Sequence, residues 1–131
     1  MAITPVKELV AAAKAEITTL SRDAAAARVK AGEAILVDIR DVRELARSGR
    51  IEGAVHAPRV MLEFWVDTES SYHREVFATG KALILFCASS WRSALAAKTL
   101  QDMGLENVAE MDGGFSGWVD DARPVVKDPP A

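Results

Sequence analysis

The stretch "LILFCASSWRSALAAK", residues 83–98, decides the fold of this chain. Four apolar residues run directly into Cys87, the single cysteine of the sequence. Such a short apolar run, bounded by turn signals, predicts a strand buried on both faces. Ala88, Ser89 and Ser90 follow it, all small. Trp91 and Arg92 then open an alanine-rich segment with helical spacing, which Gly104 stops. A lone cysteine therefore stands where a buried strand turns into a helix.

Working outward, the same alternation repeats. "PVKELVAAAKAE", residues 5–16, begins with proline and mixes apolar and charged residues at helical spacing. "ITTL", 17–20, reads as a short edge strand. Ser21 is an N-cap for a helix that Gly32 ends. "AILVDI", 34–39, is a buried strand, "DVRELARS" a short helix ended by Gly49, and 51–58 a glycine turn, short strand and proline. Residues 59–79 carry one or two short helices around a polar loop at 67–71. The helix after Cys87 places Leu95, Ala96, Leu100 and Met103 on its apolar side. "NVAEM", 107–111, is a third core strand, and 112–124 turns at Gly113 and Gly114 into a short helix around Trp118. Strands alternating with helices predict an α/β fold: a small parallel β-sheet flanked by helices on both faces. In such sheets ligands bind beyond the carboxyl ends of the strands, which is where Cys87 lies.

The chain has 131 residues, half of them apolar, and fits one domain with a sizeable core. Its 16 Lys and Arg against 19 Asp and Glu give a net charge of −3, which argues against a nucleic-acid binder. One cysteine cannot form an internal disulfide, so a cytoplasmic location is expected. The apolar run 9–13 is short and flanked by Lys7, Glu8, Lys14 and Glu16, unlike a signal peptide. No stretch approaches membrane-spanning length. With Cys87 joined only by His56 and His73, no Cys–His metal site is expected, and no cofactor.

The start of a helix exposes backbone N–H groups that lack intrahelical partners. A curled 88–92 loop aims them inward as an anion nest, and the helix dipole adds positive character. Arg92 adds a permanent charge. A thiol placed there ionises more readily than a free one, and the thiolate is a nucleophile. Ser89, Ser90 and Ser93 add hydroxyl donors. The competing reading makes Cys87 a small buried apolar residue, but that role needs no hydroxyl-rich turn with an arginine.

Four segments in chain order resemble the rhodanese family of sulfurtransferases. They are "ILVDIRD" at 35–41, "SGRIEGAVHAP" at 48–58, "FCASSWRSALAAKTLQDMG" at 86–104 and "VAEMDGGFSGW" at 108–118. The resemblance implies a rhodanese-like domain over 17–126, with a helical extension at 1–16 and a disordered tail at 127–131. It also implies a mechanism. The thiolate takes a sulfane sulfur from a donor such as thiosulfate, becomes a persulfide, and passes the sulfur to a thiophilic acceptor such as cyanide, a thiol or a protein. By position, Cys87 is the nucleophile. Ala88, Ser89, Ser90, Trp91, Arg92 and Ser93 form the substrate-binding loop. Asp38, Arg40 and Arg59 are supporting candidates. Two positions depart from the family pattern: Ser90 stands where glycine is usual, and Arg50 where histidine is common.

Asp38 and Arg40 either orient the loop or form a structural pair at the strand-to-helix turn. Trp91 either walls the pocket or packs on a helix. Trp65, Arg59 and His73 either rim the site or belong to an ordinary surface loop. His56 reads as a structural histidine, and Gly113, Gly114 and Trp118 as fold residues. The N-terminal helix covers a sheet edge or meets a partner. Two other functions compete with sulfur transfer. A cysteine-dependent phosphatase or arsenate reductase also uses a thiolate in an anion loop, but related phosphatase loops place five residues between Cys and Arg, and here there are four, Ala88 to Trp91. A non-catalytic sulfur-relay or binding module is the third reading, kept alive by Ser90.

Overall fold

The computed structural model describes residues 2–127. Five parallel strands form one sheet: β1 (Thr19–Leu20), β2 (Ala34–Asp38), β3 (Val55–His56), β4 (Ala82–Phe86) and β5 (Val108–Met111), in the spatial order β1-β5-β4-β2-β3. The helices are α1 (Val6–Glu16), α2 (Arg22–Lys30), α3 (Val42–Ser48), α4 (Leu62–Val66), α5 (Trp91–Asp102) and α6 (Gly114–Asp120). Two short 3₁₀ turns, Arg59–Met61 and Glu75–Ala78, complete the irregular 59–79 segment.

The central strands bury both faces because their side chains alternate between two cores. Leu83 and Leu85 of β4 join Val37 and Ile39, with Ala96, Ala97 and Leu100 of α5 and Leu62 and Val66 of α4. Ile84 and Phe86 point the other way, to Leu36, Ala25 of α2, and Phe115 and Trp118 of α6. The helix signals act as expected. Ser21 accepts from the Ala24 N–H at 3.1 Å, and Gly49 ends α3 in a positive-φ conformation.

One expectation about α5 is corrected. Its buried stripe is Ser93, Ala94, Ala96, Ala97 and Leu100, while Leu95 is half-buried and Met103 is exposed. Small side chains face inward because α5 lies close against β4 and β5, and Met103 falls beyond the last helical turn. Val126 still pairs with Arg50 through two backbone hydrogen bonds of 2.8 Å. Of the tail expected at 127–131, Lys127 is exposed and 128–131 lie outside the described residues. Among the described residues no helix is long and apolar enough to cross a membrane.

Candidate active site

Cys87 follows the last residue of β4 and is 1% exposed. The chain then turns so sharply that Ser90, the N-cap of α5, takes φ 80 and ψ 5. This left-handed conformation suits glycine and costs a serine on the order of 1–3 kcal/mol. The turn brings the N–H groups of Ser90 and Ser93 to 3.2 and 3.4 Å from the Cys87 sulfur. Burial pushes the thiol up. The Ser93 hydroxyl and the N–H groups of Ser93, Ser89 and Ser90 outweigh it, so the net shift is downward, toward the thiolate.

Glu110 lies directly behind this turn. It is fully buried in β5, and its Oε1 accepts from the Ser90 hydroxyl at 2.6 Å and from the Ser93 hydroxyl at 2.7 Å. Its Oε2 accepts from Thr19 at 2.8 Å, and the Lys14 ammonium stands 3.8 Å away. Lys14 also donates to Ser90 Oγ at 3.2 Å. Ser93 has one hydroxyl proton and two neighbours, Glu110 and, at 3.5 Å, the Cys87 sulfur. In the thiol form the S–H donates to Ser93, which donates to Glu110. Once the thiolate forms, the Ser93 hydroxyl can turn to sulfur while Glu110 keeps Ser90, Thr19 and Lys14.

The turn that starts α6 supports the loop from below. The Phe115 and Ser116 N–H groups donate to the carbonyls of Cys87 and Ala88 at 2.8 and 3.0 Å. This approach leaves no room for a side chain at Gly114, whose Cβ would stand 2.4 Å from the Cys87 carbonyl oxygen. Arg40, 2% exposed, lies 3.9 Å from the Phe115 ring centre. Its guanidinium grips Asp38 at 2.8 Å and the Gly49 carbonyl at 2.9 Å. Arg40 thus touches the α6 turn through Phe115 and adds its charge to the field at Glu44, while Asp38 and Arg40 fix the β2–α3 turn directly.

Arg92, in the first turn of α5, holds Glu44 of α3 by two bonds of 2.8 and 2.9 Å. The guanidinium holds the Glu44 carboxyl at about 2, well under its ordinary 4.5. Glu44 raises Arg92 in turn. Arg92 and Glu44 line an open depression of about 510 Å³ together with Asp41, Arg43 and Arg47. Trp91 is 46% exposed, Ser89 is exposed and Ala88 half-buried. Arg59 is bound to Glu63 of α4 at 2.6 Å. His73 meets the Trp65 carbonyl at 3.0 Å, and His56 meets the Arg40 carbonyl at 2.7 Å. The structure therefore gathers Cys87, the 88–93 loop and Arg92 at one point. It also adds three residues that the sequence reading did not single out for the site: Glu110, Lys14 and Glu44.

The Rhodanese-like domain family matches residues 21–121. The chain belongs to that family. As a rhodanese-like domain it is a member of the sulfurtransferase superfamily, and its relatives carry differing names. It is 32% identical over 95 residues to the thiosulfate sulfurtransferase GlpE of Glaesserella parasuis, covering 71% of this chain and 78% of GlpE. A Rhodopseudomonas palustris protein of unknown function, described as a possible tyrosine phosphatase, superimposes with a TM-score of 0.90 at 42% identity, over 96% of this chain and 97% of that one. The polysulfide-sulfur transferase homodimer of Wolinella succinogenes gives a TM-score of 0.70 at 28% identity, over 93% and 87%. The chain spans 61% and 28% of the length of two uncharacterized relatives that it also matches.

Proposed function

We propose that this rhodanese-like domain is a sulfurtransferase that carries a sulfane sulfur on Cys87. One observation carries the reading. The Cys87 sulfur sits at the carboxyl end of β4, receiving the Ser90 and Ser93 N–H groups at 3.2 and 3.4 Å, in a ring that Arg92 closes after four residues. The thiolate attacks the outer sulfur of a donor such as thiosulfate. A new S–S bond forms, the old one breaks, and sulfite leaves with its electron pair. The loop N–H groups then cradle the terminal persulfide sulfur. A thiol, cyanide or an acceptor protein attacks that sulfur and restores the Cys87 thiolate. The open depression lined by Arg43, Arg47 and Arg92, with Asp41 and Glu44 between them, is the approach for an anionic donor. The rhodanese-like domain is residues 17–126, preceded by the extension that carries α1 (Val6–Glu16). No resident cofactor takes part, and the lone free cysteine suits a reducing cytoplasm.

The neighbour described as a possible phosphatase keeps a second reading in view, in which the same thiolate attacks a phosphoryl group. Ring size favours sulfur, because four residues close too tightly around a group with three oxygens. Electrospray mass measurement after thiosulfate treatment tests the assignment. The expected result is the added mass of one sulfur atom on Cys87, removable by cyanide or dithiothreitol and absent in Cys87→Ser. Cys87-dependent hydrolysis of a small aryl phosphate, with no persulfide from thiosulfate or polysulfide, would overturn it.

A further inference from the structure

We infer that Glu110 is a positioning residue for the Cys87 loop, holding Ser90 in its left-handed conformation from the neighbouring strand β5. Ser90 occupies a backbone conformation, φ 80, that favours glycine, and it is a serine with its hydroxyl fully used. The hydroxyl donates to Glu110 Oε1 at 2.6 Å, a short charge-assisted bond between two buried groups. Glu110 is held in turn by Thr19 at 2.8 Å and by Lys14. A buried carboxylate with one lysine and three hydroxyl donors is compensated rather than orphaned. Without it, the Ser90 N–H would lose the alignment that points it at the Cys87 sulfur 3.2 Å away.

Two of the anchors lie outside the family match at 21–121. Thr19 is in β1 and Lys14 in α1. The N-terminal helix therefore has a role at the site: its Lys14 reaches both Ser90 Oγ, at 3.2 Å, and Glu110 Oε2, at 3.8 Å. Serine at position 90 and glutamate at position 110 act as one device. A glycine would hold the turn unaided; the serine needs the carboxylate.

The inference rests on the sulfurtransferase reading only for what the positioned sulfur does next, so its test reads thiol reactivity instead. Iodoacetamide is the probe, and the readout is the rate of Cys87 alkylation in the folded full chain. Ser90→Ala and Ser90→Gly both delete the hydroxyl, and only alanine keeps the strained Cβ. The glycine variant should react at least about fivefold faster than the alanine variant. Glu110→Leu should slow alkylation about tenfold when Ser90 is present, and less than about threefold when combined with Ser90→Gly. Glu110→Gln, whose carbonyl still accepts both hydroxyls, should recover most of the loss. A merely structural Glu110 would give the same loss with or without Ser90→Gly. That result, or equal rates for Ser90→Ala and Ser90→Gly, would overturn the inference. If Glu110→Leu fails to fold, Thr19→Val and Lys14→Met, which remove two of the groups that hold Glu110, take its place: each should slow alkylation with Ser90 present and less so with Ser90→Gly, and an equal effect in both backgrounds would overturn the inference. Absence of a persulfide with both thiosulfate and polysulfide would sink the sulfurtransferase reading and leave these rates intact.

Discussion

Replacing Gly114 by alanine should weaken the fold and disturb Cys87 together, and the size of the effect follows from two separable causes. The first is backbone conformation. Gly114 sits at φ +55, where an L side chain costs about 1–2 kcal/mol. The second is contact. The added Cβ would meet the Cys87 carbonyl oxygen at 2.4 Å and the Ala88 carbon and oxygen at 2.9 Å, all backbone atoms that no rotamer change can move. Overpacking of this kind costs typically about 1–3 kcal/mol. The sum is roughly 2–5 kcal/mol, a large part of the 5–15 kcal/mol that holds a typical domain. Gly32 supplies the control. It has φ +77 and nothing within 4 Å of its Cβ position, so Gly32→Ala carries the conformational cost alone. Urea denaturation should show a loss of about 1–2 kcal/mol for Gly32→Ala and roughly 2–5 for Gly114→Ala, a midpoint fall of roughly 1–2.5 M for the latter. Gly114→Ala should also change the rate of Cys87 alkylation; Gly32→Ala should not. Equal stability losses, or unaltered Cys87 reactivity in Gly114→Ala, would refute the claim that the α6 turn is the floor of the loop.

Arg40→Met should destabilise the chain by about 3–5 kcal/mol, because it strands the buried Asp38 carboxylate and opens the Gly49 carbonyl; urea denaturation checks it, and a loss under about 1 kcal/mol would contradict the pairing. Glu44, held at about 2 in the folded chain, contributes stability that is present above its ordinary 4.5 and disappears as pH falls toward 2. Glu44→Gln should flatten that acid limb of the stability curve and, by freeing Arg92 of its counter-charge, tighten the binding of thiosulfate at neutral pH.

Much of this architecture is legible in the sequence because its signals are local. The strand runs at 34–39 and 83–87 need only apolar continuity. Ser21, Gly32 and Gly49 act within a few residues of themselves. The Cys87 loop is also local, since sulfur, N–H donors and hydroxyls lie within seven positions, 87–93. What is not legible depends on sheet order. Glu44 meets Arg92 across 48 positions because β2 lies beside β4, which brings the starts of α3 and α5 together. Glu110 meets Thr19 across 91 positions because β1 lies beside β5. A signal for Glu110 did exist: a charged residue inside "NVAEM", a segment otherwise fit for burial, demands partners. The hydroxyl-rich loop was the nearest source of them, but only the parallel order places β5 next to β4 and so behind that loop.

The electrostatics of the site bear on which electrophile Cys87 serves. Two buried or half-buried carboxylates stand near the loop, Glu110 behind it and Glu44 beside Arg92, and each has its own cation. Arg92 already grips Glu44 with both terminal nitrogens at 2.8 and 2.9 Å. A phosphoryl group carries charge on three oxygens and needs an arginine fork to receive it, so it would compete with Glu44 for that fork. A sulfane sulfur makes no such demand inside the ring, because only the outer sulfur of a donor such as thiosulfate enters it and the three oxygens stay outside. In the proposed sulfur transfer the charge that enters the nest is that of a single thiolate or persulfide, and neutral N–H donors from Ser90 and Ser93 already point at that spot. With Arg92 shared between Glu44 and Cys87, the proposed site favours one sulfur anion over a multiply charged oxyanion. Glu44→Gln should therefore raise the ability of the site to bind inorganic phosphate or arsenate more than its ability to form a persulfide. Competition of phosphate against iodoacetamide at Cys87, compared with the rate of persulfide formation, measures the two. An equal gain in both would show that Glu44 does not set the choice.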